Sequence, residues 1–448
     1  MKGKLKEIIL EGKYFEIVFL VFMMAISVPL IHPILGSYAK ITVAWAGIVI
    51  LYDILVTKRI FKVKYSKLII LFGIIWFVSV IVNYKYNFKL NFTYYLYGVI
   101  HIWLLYPKYS DGNREELSRF MKCFVGFTFV TSFISLIMFV VQYEAWYGTH
   151  MIGYYMGRLH GVYVSPNAGG IYAFISIVMS LLIWKNSEEI LKRWERYLLV
   201  FNVFVQTSYI SLTDSSGTQI TYMVFVFVVV MGAFINKKVQ RGWKNLSKSF
   251  VIGILSMIVC VGVVNGIGKV YSYIPSIVKI EQLELKDNEK KKPYAVAIER
   301  EYTDDAFAAG RVEIWKIGLQ IIKENPILGV GHENVQREAQ IVAPDNETIT
   351  SKIKSGMHNV YMQSLVETGV VGGIVFLLFT FGSAVQLLKY FFDKKSKKEL
   401  WTIIAIAFVA ALAVNNLGEA TILFCQSGIG VFFWLLLGNL LYKAKEVE

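Results

Sequence analysis

Cysteine is scarce in this chain and shows no pattern. Cys123, Cys260 and Cys425 lie far apart, in or beside apolar runs, with no C-x-x-C pair and no Cys/His ligand spacing. That excludes a disulfide framework and a cysteine metal motif as organising features. Charge is thin as well. Asp, Glu, Lys and Arg make up 17% of the 448 residues, against about 25% in soluble domains. Apolar side chains fill the space: 56% of the chain is hydrophobic, 15% is aromatic, and the mean hydropathy is +0.52. This is the composition of a polytopic membrane protein. The formal charge of +14 does not point to nucleic acid, because the Lys and Arg are confined to short loops between apolar runs, where they encode topology.

Spanning about 30 Å of hydrocarbon takes roughly 20 apolar residues in helix. Twelve stretches qualify: 14–35, 41–56, 68–82, 90–106, 120–141, 167–184, 197–212, 220–235, 250–270, 370–391, 400–414 and 424–442. The first follows a basic segment, 1–13, but is too long for a signal-peptide core and lacks a small-residue cleavage site. The expected fold is therefore all-α, with about twelve transmembrane helices divided as 1–270, a large loop at 271–357, and 358–448. Basic clusters occupy every second loop and both termini. By the positive-inside rule this places both termini in the cytoplasm and the loops 142–166 and 271–357 outside, in a multi-pass protein of the cytoplasmic membrane.

The large loop changes character along its length. Residues 281–301 are dense in charge of both signs and read as a solvated strap. From Asp304, the spacing of Ala306, Phe307, Val312, Ile314, Trp315, Ile317, Leu319, Ile321 and Ile322 predicts an amphipathic helix lying on the membrane or on the bundle. Asn325-Pro326 should end it, and Gly329-Val330-Gly331 reads as a flexible turn.

Candidate chemistry gathers in the two outside loops. Arg158, within GRLHGVYVSPNAGG, is the only Arg or Lys between Gln142 and Pro166. It is either a snorkelling anchor or an anion ligand, since guanidinium binds phosphate through a bidentate fork. Arg311 poses the same choice, the alternative being an ion pair with Glu313 or Asp305. His358 stands where polar loop gives way to apolar helix. It is either an interfacial side chain, as His32, His101, His150 and His160 illustrate, or a base: a helix N-terminus disfavours imidazolium, which leaves the ring able to accept a proton, with Asn359 or Tyr361 to orient it. Glu367 and Asp304 are the fallback bases. No metal-ligand cluster and no nucleophile elbow is present.

The ordered set GR-x3-W, NP-x2-GVG, HN-x-Y and E-x-G before a membrane helix resembles the lipid-linked polysaccharide ligases and polymerases: O-antigen ligases and the flippase-dependent polymerases of O-antigen and capsule. The upstream R-x2-G-x4-PN, from Arg158 to Asn167, is similar too. The resemblance implies a glycosyltransferase without metal or cofactor, whose donor is an oligosaccharide on undecaprenyl diphosphate. It also implies a lipid bilayer around it, and a flippase and a chain-length regulator as partners. Carried over, Arg158 and Arg311 bind the diphosphate and His358 deprotonates the acceptor, with Asn167, Asn359 and Tyr361 beside them. One departure stands out: family members carry Ser-Arg-Gly at a hairpin where this chain has Asp214-Ser215-Ser216-Gly217-Thr218. Ser215 and Ser216 offer neutral hydrogen bonds there. Either a loop Lys or Arg supplies the missing cation, or the donor differs, or the hairpin aligns elsewhere.

Three readings follow. A polymerase transfers a glycan to another lipid-linked repeat unit, whereas a ligase transfers it to lipid A core or another surface acceptor. A transporter would use the loop as a lid, but it would need ionisable residues deep in several helices, and inverted halves are absent. Richness in Lys, Ile and Tyr with few Pro fits an AT-rich genome and a single-membrane cell, which favours the polymerase.

Overall fold

The computed structural model describes residues 2–109, 114–186, 190–237, 243–279, 293–298, 309–353, 356–393 and 398–445. Each apolar run of the sequence contains a helix. In chain order these are Phe15–Ile26 (α1), Ala39–Tyr52 (α2), Ser66–Val82 (α3), Phe88–Val99 (α4), Arg114–Val140 (α5), Pro166–Trp184 (α6), Arg193–Thr213 (α7), Ser216–Lys237 (α8) and Trp243–Ser272 (α9). After the excursion helix Ala309–Glu324 (α10) come Val360–Phe392 (α11), Leu400–Asn415 (α12) and Ile429–Lys445 (α13). Helix is the structure that satisfies every backbone group without water, so long apolar runs adopt it in lipid. Among the described residues six helices are long and apolar enough to cross a membrane, and α1, α3 and α12 are shorter apolar helices. The chain is a multi-pass membrane protein.

Helix α6 is the central post. It is buried along most of its length and packs against α5, α7, α8 and α12. Asn202 donates to Ser176 and Ser180, Gln206 donates to Asn202, and Ser132 and Thr128 complete the set, so polar side chains of α5, α6 and α7 satisfy one another inside the bundle.

The loop 142–166, in which the sequence suggests no regular structure, holds a three-stranded antiparallel sheet ordered β1-β2-β3: Glu144–Tyr147, His150–Tyr155 and Arg158–Gly161. The all-α expectation is corrected to that extent. The strands are short; β3 packs on the ends of α5, α6 and α7 and β2 on α5, so burial rather than alternating hydrophobicity selects these two, while β1 is mostly exposed and pairs with β2.

Helix α10 covers most of the predicted amphipathic segment and ends before Asn325-Pro326 as expected. Ala306 and Phe307 lie outside the described residues, as do Asp304, Asp305 and most of the charged strap. The buried face of α10, Ile314, Ile317 and Ile321, joins Val330, Val335, Ala339, Ile353, Met357 and Val366 in a second small core. The excursion therefore packs on itself and on α11.

Candidate active site

The excursion is locked to the bundle at a break in α11. Gly369, with φ of 67°, interrupts the helix. There the N–H groups of Val330 and Gly331 donate to the carbonyls of Val366 and Glu367 at 3.1 and 3.0 Å, and Val370 N–H donates to Pro326 at 2.8 Å. A Cβ on Gly369 or Gly329 would strike the opposing backbone, so only glycine permits this approach. The turn expected to be flexible is instead a clamp. It sets the first turns of α11 and the residues before them at the edge of a cavity of about 610 Å³.

His358 lines that cavity, in a left-handed conformation with φ of 49° immediately before the N-cap Asn359. Its Nδ1 faces Glu419 Oε2 at 3.4 Å, and Arg311 Nη2 donates to Glu419 Oε1 at 2.8 Å. One carboxylate thus answers both residues; of the acids expected to pair with Arg311, Asp305 lies outside the described residues. With Nδ1–H directed at a carboxylate, the neutral ring keeps its lone pair on Nε2.

A second histidine faces the same space. His332 Nδ1 lies 2.5 Å from Glu367 Oε1, its ring packs on Tyr94, and Gln363 Nε2 also donates to Glu367. Glu367 is fully buried, which removes it as a fallback base. Burial pulls the His332 pKa down, but the charge and hydrogen bond of Glu367 outweigh it, so the net shift is upward. Gln363 Oε1 accepts from Met357 N–H at 2.5 Å, tying this pair to the backbone next to His358.

The ends of four helices meet the cavity with their N-termini. Ser165, Asn167 and Ala168 open α6; Ser215, Gly217 and Thr218 open α8; His358 precedes α11; Ser427 and Ile429 open α13. Ser165 Oγ accepts from Ala168 N–H, Ser215 Oγ from Thr218 N–H, and Ser427 Oγ from Ile429 N–H. Each N-terminus carries a partial positive charge, which favours an anion; Arg311 adds a cation, and Glu419, its partner, and Glu333 line the same space.

The other residues named from sequence have structural tasks. Arg158 Nε donates to Thr213 O and its Nη2 to Asn167 Oδ1, both at 2.9 Å, stapling β3 to the C-terminus of α7 and the start of α6. Asn167 reaches the cavity; Arg158 is not among its lining residues. Ser215 lines it as the cap of α8, while Ser216 is the first residue of that helix and is not a lining residue. Asn359 Oδ1 is engaged by the N–H groups of Tyr361 and Met362, and its Nδ2 donates to Leu417 O at 3.1 Å. Tyr361 OH donates to Ala413 O at 3.1 Å. Neither residue orients His358, because both are committed to capping and packing; Glu419 takes that part.

Glu419 was missed in the sequence. Its only signal is local: an acid in the polar break Asn415-Asn416-Leu417-Gly418-Glu419, between two apolar runs. That loop is held onto the start of α11 by Val360 N–H, which donates to the carbonyls of Asn416 and Glu419.

The bundle and its cavity define a multi-pass membrane protein with a pocket that brings Arg311, four helix N-termini and the His358–Glu419 pair together. Residues 201–377 match the family model described as O-antigen ligase, a stretch that contains Arg311, His332, His358 and the Gly369 clamp. Over that segment the chain is similar to the O-antigen ligase family. No curated protein matches it.

Proposed function

We propose that the chain is a polysaccharide polymerase that transfers a glycan from undecaprenyl diphosphate to a hydroxyl of another lipid-linked repeat unit, without metal or cofactor. The observation that carries this reading is the meeting of four helix N-termini and Arg311 with the His358–Glu419 pair in one cavity. The acceptor hydroxyl gives its proton to His358 Nε2 while its oxygen attacks the anomeric carbon. The bond from that carbon to the diphosphate oxygen breaks, and the electron pair leaves on the diphosphate. Diphosphate is a good leaving group, so the protein chiefly supplies positive potential and a base. The N–H dipoles at Ser215–Thr218 stand in for the arginine that relatives carry at the hairpin. Arg158 acts by fixing Asn167 and the α7 end.

The test is the purified protein with one lipid-linked repeat unit as both donor and acceptor. A ladder of products is expected, unchanged by chelator. Transfer only when a separate surface acceptor is added would replace polymerase by ligase. Arg311→Lys should fail nearly as badly as Arg311→Ala, because an ammonium cannot reproduce the guanidinium fork; a full ladder from Arg311→Lys would remove the diphosphate role.

We further propose cytoplasmic termini, with the cavity on the opposite face of the membrane, where a flippase delivers donor and a chain-length regulator acts. A reactive cysteine placed at Asp345 should label in intact cells, and one at Lys185 only after permeabilisation. The reverse pattern would overturn the orientation.

A further inference from the structure

A second cavity lies at the end of the bundle away from the reaction cavity. It is about 350 Å³ in volume, between the N-terminal halves of α5 and α7 and the last turn of α6. Ile171 and Ile183 on α6 face the two cavities in turn, about 18 Å apart along the helix at 1.5 Å per residue. Gly126 lies in its wall, and a Cβ placed there would meet nothing within 4 Å. Phe129, Leu198 and Leu199 make further wall. Asn202 also touches the space, but its side-chain amide is engaged in the network with Ser176, Ser180 and Gln206. The interior therefore offers hydrocarbon contact. The cleft is not sealed: Leu198, half exposed, continues into exposed Phe133 and Phe201 on the lipid-facing surface of α5 and α7.

Polarity is concentrated at one end. Lys122 and Glu195 line the cleft there and pair at 3.4 Å. Around them Arg119, Lys192, Arg193 and Arg196 are exposed; Arg119 pairs with Glu115 at 3.5 Å, and among the described residues these four and Lys122 outnumber Glu115, Glu116 and Glu195, Glu188 and Glu189 lying outside the described residues. Trp194, exposed beside this mouth, has the amphipathic ring favoured at the boundary between hydrocarbon and headgroups. An apolar slot open to the bilayer, with a basic rim at the headgroup level, is complementary to an amphiphile with a hydrocarbon chain and an anionic head.

We propose that this cleft holds one acyl chain of an anionic glycerophospholipid from the surrounding bilayer, with its phosphate at the Lys122 rim. The lipid lies between α5 and α7, whose other ends carry β3 and the Thr213 carbonyl that holds Arg158.

The test uses the full-length protein in mild detergent, stripped of lipid and then titrated with phosphatidylglycerol or phosphatidylcholine, with retained lipid counted by native mass spectrometry. One phosphatidylglycerol is expected to be retained in preference to phosphatidylcholine, and Lys122→Gln should weaken that preference about fivefold. Gly126→Leu should abolish retention, since its side chain takes the space of the acyl chain. It should leave the lipid-free melting temperature unchanged or higher, because it replaces a helix-interior glycine without a clash. Equal retention of both lipids, or full retention by Gly126→Leu, overturns the proposal. Should Gly126→Leu not fold, a phosphatidylglycerol with a photoreactive acyl chain decides the matter on the wild type. Crosslinks at Phe129 or Leu198 support the cleft, and crosslinks confined to other helices overturn it.

Discussion

His358→Ala is expected to slow glycosyl transfer by about a hundredfold to ten-thousandfold, the usual contribution of a positioned general base. Donor binding should change little, because in the proposed reaction Arg311 and the helix N-termini, not His358, hold the diphosphate. Glu419→Gln should fall between wild type and His358→Ala: the amide still reaches the imidazole but no longer stabilises its charge. Turnover and donor affinity measured separately on purified protein check both variants. Near-normal turnover in His358→Gln would reduce the residue to a hydrogen-bonding contact.

The largest effect on stability should come from His332. Its side chain is 16% exposed and that of Glu367 is 0% exposed, and Glu367 Oε2 is buried without a hydrogen-bond partner among the described residues. Removing the imidazole leaves a buried carboxylate without its cation, which costs about 3–5 kcal/mol. His332→Ala should therefore melt well below wild type, and Glu367→Gln added to it should restore most of the loss, because the neutral amide has far less desolvation to answer for. The pH dependence has a definite sign. The folded-state pKa of His332 is raised above its ordinary 6.5, so the stabilisation is full below that value and is lost as the pH rises through the raised one. The difference in melting temperature between wild type and the double variant should shrink over that alkaline window. A difference that grew with pH would show that the pair is held by neutral hydrogen bonds.

Much of the scaffold was legible because lipid imposes one simple demand. Runs of apolar residues about as long as the bilayer is thick become helices; each run here contains one, and six helices among the described residues are long and apolar enough to cross. The excursion helix was legible for a related reason, since Ile314, Ile317 and Ile321 recur at helical spacing. What escaped depends on partners remote in sequence. Glu419 is 61 residues from His358 and 108 from Arg311, and nothing local marks it as the group that joins them. Arg158 has the type and setting of an anion ligand, yet its guanidinium is committed to Thr213 and Asn167 once β3 folds back over the bundle. Asn359 and Tyr361 had the right chemistry to orient a ring, but capping α11 and packing against α12 use that chemistry first. The clamp at Gly369 also lay beyond periodicity, because a single glycine within an apolar helix signals nothing until the opposing glycine turn is beside it.

The shared carboxylate of Glu419 has a consequence for how free energies add. Arg311 and His358 stand 47 positions apart in sequence and, in the proposed reaction, serve different ends of the same displacement, so independent residues would lose activity additively. Both are satisfied through one acid, and removing either lets Glu419 reorganise around the other. Their substitutions should therefore be non-additive by about 0.5–3 kcal/mol in a double-mutant cycle. With Glu419→Gln as the background, that interaction energy should collapse toward zero.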